Sequence, residues 1–145
     1  MEAILAIDSK NGLAKNGTIP WKSKKDMTFF KNKTINKIVV MGRKTFESLP
    51  GPLKNRLNVV LSNPRYSENN ILYTNDVDAL LKENVIFIGG KSIYEQFIPL
   101  CETVWVTRFK KDYDCDLFFD YDFSKFSSIV HEDDEELTIT EYKKV

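Results

Sequence analysis

Five short, continuous runs rich in apolar and β-branched residues recur along the chain, at Ala3–Ile7, Lys37–Met41, Asn58–Leu61, Val85–Ile88 and Thr103–Phe109. Several do not alternate polar with apolar, which is the pattern of strands covered on both faces in a parallel sheet. Helix-like segments lie between them: Ser23–Asn32 with Ser23 as its N-cap, Lys44–Leu49, Asp76–Lys82 and Ser92–Ile98. Strand, helix, strand, helix predicts an α/β fold with a mostly parallel central β-sheet flanked by helices. Ser127–His131 and Leu137–Lys143, separated by the acidic turn Glu132–Glu136, read as an antiparallel hairpin at the sheet edge. No repeat or Pro/Gly-rich linker interrupts the 145 residues, so one domain over 1–145 is expected. In such sheets ligands bind at the carboxyl ends of the strands.

Composition narrows the class. With 42% hydrophobic and 12% aromatic residues the chain has enough apolar surface to build a core, which excludes disorder. Its longest apolar runs are only about five residues, too short for a membrane span or a signal-peptide core, so a cytoplasmic or similarly reducing location is expected. Cys101 and Cys115 read as unpaired structural thiols there, although one disulfide is formally open. One histidine and no CxxC pair leave no zinc site from the usual ligands. The net charge of zero conceals +8 over residues 1–111 and −8 over 112–145. That asymmetry fits either a solvated acidic tail or a basic part that attracts an anionic ligand. Dispersed Lys and Arg without a recognised motif make nucleic acid the weaker partner.

Three segments carry candidate chemistry. Ile88-Gly89-Gly90-Lys91-Ser92-Ile93-Tyr94 ends a strand in two glycines and opens a helix at once, which suits either a tight turn or a close approach to phosphate. Val40-Met41-Gly42-Arg43-Lys44-Thr45-Phe46-Glu47-Ser48 repeats the arrangement with basic and hydroxyl side chains; a plain basic helix start is the other reading. Asp26 shares a helix face with Phe29 and Phe30 at i+3 and i+4, so it is either a carboxylate in an apolar pocket, suited to proton chemistry, or a surface partner of Lys22 or Lys25. Before it, Gly12 to Trp21 forms a glycine-bounded loop of the kind that acts as a lid.

In this order and spacing, Asn16-Gly17-x-Ile19-Pro20-Trp21, Asp26 with Phe29-Phe30, Met41 to Ser48, Asn55-Arg56 with Asn58 to Ser62, Ile88-Gly89-Gly90 with Tyr94, and Val106-Thr107-Arg108 closely resemble dihydrofolate reductase. The resemblance runs from about Glu2 to Phe119 and weakly through the terminal hairpin. It implies NADPH-dependent reduction of 7,8-dihydrofolate to tetrahydrofolate for one-carbon metabolism and thymidylate synthesis. Hydride would go to ring carbon 6 and a proton to the adjacent nitrogen. Carried over by position, Asp26, Trp21 and Thr107 are the catalytic group, with Asp26 the one acid of the pterin pocket. Ile4, Leu5, Met27, Phe30 and Leu49 wall that pocket, and Arg56 grips the substrate α-carboxylate.

On the cofactor side the resemblance implies Ala6, Leu13, Asn16, Gly17 and Thr18 around the nicotinamide end. Arg43, Lys44, Thr45 and Ser62 take the phosphates, with Arg43 and Ser62 near the 2′-phosphate, and Gly42, Leu61 and Asn63 also belong to the cofactor set. Ile88, Gly89, Gly90, Lys91, Ser92, Ile93, Tyr94 and Gln96 cover the pyrophosphate side, and the family's Gly-Gly bond is typically cis. Departures from the family pattern are Ala14 where a hinge glycine is usual, Ile19, Lys91-Ser92 after the glycines, and Asp120. A monomer binding dihydrofolate and antifolates, with no metal, membrane or nucleic acid, is expected. A same-fold reductase of a riboflavin-pathway pyrimidine and a non-catalytic binding homologue are the rival readings.

Overall fold

The computed structural model describes residues 1–62 and 66–145. The chain opens with β1 (Glu2–Ile7) and β2 (Gly12–Ala14), then enters α1 (Lys24–Thr34). β3 (Ile38–Gly42) runs straight into α2 (Arg43–Ser48), followed by β4 (Leu57–Leu61), β5 (Tyr66–Glu68) and β6 (Ile71–Thr74). Next come α3 (Val77–Leu81), β7 (Val85–Gly89) and α4 (Lys91–Phe97). β8 (Thr103–Phe109), β9 (Leu117–Phe118), β10 (Phe126–Asp133) and β11 (Leu137–Lys144) complete the order.

Among the described residues the main sheet has the order β10-β11-β8-β1-β7-β3-β4-β6-β5. The six strands from β8 to β6 are parallel, as the continuous apolar runs predict, and β11, β10 and β5 are antiparallel additions. β1 stays in register with β8 from Glu2 to Ile7 but pairs with β7 only through Glu2 and Ala3. Beyond Ala3 the two central strands therefore part toward their carboxyl ends. From α4 the Tyr94 hydroxyl reaches into this parting and donates to the Ile4 carbonyl at 2.9 Å.

Side chains alternate across the sheet. Leu5, Val40 and Phe87 face α4, where Phe87 stacks on Phe97 at 4.3 Å between ring centroids. Ile4, Val39, Met41 and Ile86 face the opposite way, toward Phe29 and Phe30 of α1. Ser23 caps α1 as expected, its Oγ accepting the Asp26 N–H at 3.1 Å, and Asp76 caps α3 through the Ala79 N–H. Cys101 and Cys115 are both buried free thiols. Among the described residues no helix is long and apolar enough to cross a membrane.

Four features depart from the sequence expectation. The lid is not one long loop: Gly12–Ala14 pairs with β9, and Asn16-Gly17, at φ +50° and +78°, forms a tight turn bridged from Lys15 to Thr18. Gly12 could not have been recognised as a strand residue because its partner lies about a hundred positions away. β5 and β6 were not anticipated, their polar surroundings masking the short run Ile71–Thr74. The hairpin's first strand runs on through Asp133, so only 134–136 turn. It carries a β-bulge between Val130 and Glu132 and leaves Ile129 and Val130 exposed on the sheet's outer edge.

The base of the lid is fastened by Asp8, which is fully buried. Its carboxylate accepts the backbone N–H groups of Lys10, Gly12 and Tyr113 at 2.8–2.9 Å. Burial pushes this carboxyl up, but those donors and the Cys115 thiol outweigh it and leave it below the ordinary aspartate value. Gly12 is obligatory for space: a Cβ there would stand 2.4 Å from Cys115 Cβ and 2.9 Å from Asp8 Oδ1. Gly12→Ala is therefore expected to lower unfolding free energy by about 1–3 kcal/mol, the usual cost of overpacking. Urea denaturation measures it, and an unchanged midpoint would show that the lid base repacks freely.

Candidate active site

Arg56 apart, the groups of candidate chemistry gather at the carboxyl edge of the parallel strands. Asp26 stands in the first turn of α1, and the same helix face sends Phe29 and Phe30 into the apolar layer of Ile4, Phe46, Leu49 and Ile88. Thr107, buried on β8, is the register partner of Ala6 on one side and Ile139 on the other, and its hydroxyl hydrogen-bonds the Asp26 carboxylate. Burial raises the Asp26 pKa above the ordinary value, the Thr107 hydrogen bond works against it, and the charge of Glu136 adds to the rise. A carboxyl of raised proton affinity beside an apolar aromatic layer suits proton transfer to a bound heterocycle.

Across the parting of β1 and β7 lies a second set of groups. Gly89-Gly90 is a cis peptide with Gly89 at φ +127°. A Cβ on Gly89 would meet the Tyr94 hydroxyl at 3.2 Å, and one on Gly90 would meet Thr45 Oγ1 at 3.3 Å, so the two turns are packed to bare backbone. The helices that follow, α2 behind Gly42 and α4 behind Gly90, have no side chain capping their first N–H groups. Arg43 Nη1 donates to Ser62 Oγ at 2.9 Å, while its Nε lies 3.8 Å from Glu47. Two uncapped helix starts with an arginine and hydroxyls beside them form a donor set that fits a dinucleotide carrying several phosphates.

Not every expected residue presents its side chain here. Leu5 is buried on the α4 face, so its backbone rather than its side chain borders the site, whereas Ile4 faces the aromatic layer. Met27 is 68% exposed on α1. Trp21 is buried against Phe109 and Tyr113, with centroids at 5.0 and 5.5 Å, in the cluster that also takes Ala6 and Phe29. Arg56 lies at the amino end of β4; its Nε donates to the Lys54 carbonyl and its Nη1 to Thr34 Oγ1, which fixes the guanidinium plane. Tyr94 and Ile93 are buried, Leu13, Leu61 and Lys91 are half-buried, and Lys44, Ser92, Gln96 and Thr18 are exposed along the rim. Asn63 lies outside the described residues.

Sequence reasoning missed Phe46 and Leu53, which complete the apolar layer, and Asp116, whose Oδ2 accepts the Asn16 N–H at 2.9 Å while its own N–H goes to the Ala14 carbonyl. Phe46 could have been found from its place three residues before Leu49, whereas Leu53, beyond Pro50-Gly51-Pro52, carried no such signal. The Asp116 contact spans a hundred residues and had no local signal.

A family model described as dihydrofolate reductase matches residues 1–144. A dihydrofolate reductase of Mycoplasma genitalium is 36% identical over 154 aligned positions, covering 98% of this chain and 96% of that protein. One from Ureaplasma parvum is 34% identical, covering 80% and 79%. Among solved structures, the dihydrofolate reductase from Enterococcus faecalis complexed with NADP(H) and RAB-propyl superposes with a TM-score of 0.84 at 31% identity, covering 99% of this chain and 95% of that one.

The half-buried carboxyl of Asp26 has a consequence for stability. Because its folded pKa is raised, its effect on folding is absent at acid pH, where both states are protonated, and becomes unfavourable as pH rises and the unfolded state ionises more readily. Asp26→Asn should therefore leave the melting temperature nearly unchanged in acid and raise it at neutral and alkaline pH. Calorimetry across that range checks this; a variant less stable than the parent at alkaline pH contradicts it.

Proposed function

The chain belongs to the dihydrofolate reductase family, an NADPH-dependent oxidoreductase that reduces dihydrofolate to tetrahydrofolate, and on that premise we propose which of its residues carry each part of the reaction. NADPH supplies the hydride, delivered to ring carbon 6 of dihydrofolate. The observation that carries the assignment is Asp26: a carboxylate on Thr107, desolvated, at the carboxyl edge beside an aromatic layer.

Asp26 binds the polar edge of the pterin and favours its protonated form, and Thr107 fixes the carboxylate's orientation. Trp21 closes that end of the pocket against water. Ile4, Phe30 and Leu49 hold the rings, with Leu5 contributing backbone, and Met27 lies at the exposed rim. Arg56, its plane set by Thr34 and Lys54, takes the substrate's α-carboxylate in a charge-assisted contact that a lysine could not match in geometry.

Gly89-Gly90 and Gly42 admit the phosphates to the backbone. Arg43 and Ser62 take the 2′-phosphate, with Lys44, Thr45, Leu61, Lys91, Ser92 and Gln96 along the same edge. Ala6, Leu13, Asn16, Gly17 and Thr18 enclose the nicotinamide end, so that the lid's Asn-Gly turn closes over the reacting rings. Neither a riboflavin-pathway pyrimidine nor a binding-only role has a use for Asp26, Thr107 and Arg56 together. We read residues 1–145 as one domain acting as a cytoplasmic monomer on small molecules. Its two free buried thiols support the compartment, with Cys101 pushed up to about 12 by burial. Sedimentation checks the monomer.

Loss of NADPH absorbance with dihydrofolate tests the activity, and methotrexate should abolish it. Asp26→Asn is expected to slow hydride transfer by about 10²-fold or more at neutral pH, the scale of a lost proton donor, with partial recovery in acid. Equal rates for parent and variant at all pH values would remove Asp26 from this role. Arg56→Leu should weaken folate binding by about 1.5–3 kcal/mol; an unchanged dissociation constant would reject its assignment.

A further inference from the structure

The acidic turn between β10 and β11 does more than end a hairpin. Leu137 pairs with Phe109 and Ile139 with Thr107, so the turn sits just past the carboxyl end of β8, on the edge where Asp26 lies. It is pinned there at several points. The Glu136 carbonyl accepts the Lys110 N–H at 2.9 Å, and the Glu136 and Leu137 N–H groups donate to Asp134 Oδ1 at 2.8 and 2.9 Å. Asp134 in turn forms a short contact with Lys25, and Lys110 Nζ binds Asp133 at 2.6 Å.

From this fixed position the Glu136 side chain reaches α1. Its Oε1 accepts the Ser23 hydroxyl at 2.7 Å, and the same Ser23 oxygen accepts the Asp26 N–H at 3.1 Å. Ser23 is itself buried, so the middle of the relay is shielded, while Glu136 stands exposed at its outer end. The one basic side chain adjacent to Asp26 in sequence on α1, Lys25, is turned away to Asp134 and Glu132. Facing Asp26 are thus Thr107 from β8, Tyr94 from α4 and Glu136 from the turn.

We propose that Glu136 is a positioning residue for the reduction: through Ser23 it locks the cap that orients the first turn of α1, and it sets its negative charge at the Asp26 end of that helix. The inference rests on Asp26 being the pocket acid. Consistent with it, the charge of Glu136 is among the causes that raise the Asp26 carboxyl, after burial. No sequence feature announces the pair, since 113 positions separate Ser23 from Glu136.

Glu136→Gln keeps an oxygen to accept the Ser23 hydroxyl and removes only the charge. Single-turnover hydride transfer with NADPH, followed across pH, should show its midpoint displaced to lower pH by about 0.3–0.8 unit, making the variant roughly two- to six-fold slower on the alkaline limb with an unchanged acid plateau. Carbon-13 titration of the Asp26 carboxyl should show the same displacement without turnover, and added salt should shrink it. Glu136→Asp, which restores the charge, should return the midpoint most of the way. An unmoved midpoint in both readouts, or a loss of melting temperature alone, would overturn the proposal and leave the turn a structural clamp. Asp26→Asn separates the two readings: if it keeps the parent's pH limb, the assignment of Asp26 fails, whereas a limb displaced there to acid pH yet unmoved in Glu136→Gln refutes only the role of Glu136.

Discussion

The site exists because β1 and β7 share only two register pairs before they part. A sheet fully zipped from end to end would have no room at its centre for ligands, and the carboxyl ends of its strands would offer only loops. Once the pair separates, each side acquires its own chemistry. β1 and β8 bring Ala6 and Thr107 into register beside α1, while β7 and β3 end in the glycine turns that precede α4 and α2. Tyr94 ties the halves together across the gap through the Ile4 carbonyl, which would otherwise be a buried acceptor without a strand beside it.

Two aspartates show how the fold controls charge in this region. Asp8 and Asp26 are both desolvated, yet the protein moves their proton affinities in opposite directions. Three backbone N–H groups converge on Asp8, and the carboxylate is held charged as a fastener for the lid. Asp26 receives one hydroxyl from Thr107 and faces a neighbouring negative charge, so its charged form is poorly supported. Desolvation is common to both; the number and kind of donors decides which is held charged and which is pushed toward its protonated form.

Much of this was legible in the sequence where the signal was local. Continuous apolar runs announced the parallel strands, Ser23 announced the start of α1, and the two glycine turns stood out because each ends a strand and begins a helix. The spacing of Asp26, Phe29 and Phe30 placed them on one helical face, and the helix bears that out. What stayed hidden depends on pairs distant in the chain: β2 with β9, Asn16 with Asp116, Ser23 with Glu136. The opposite facing of Ile4 and Leu5 was implied by strand periodicity, but which of them meets α1 is decided only by where the helix packs.

The bulge in β10 has a meaning for life at high concentration. An eight-residue edge strand with Ile129 and Val130 exposed is a template on which another extended chain could stack. The irregularity between Val130 and Glu132 breaks the ladder next to those apolar residues, and Glu132 and Asp133 follow at once with like charges. An incoming strand would find its register interrupted, and beyond the bulge it would meet carboxylates already tied to Lys25 and Lys110. The same acidic segment that borders the pocket thereby guards the open side of the sheet against aggregation.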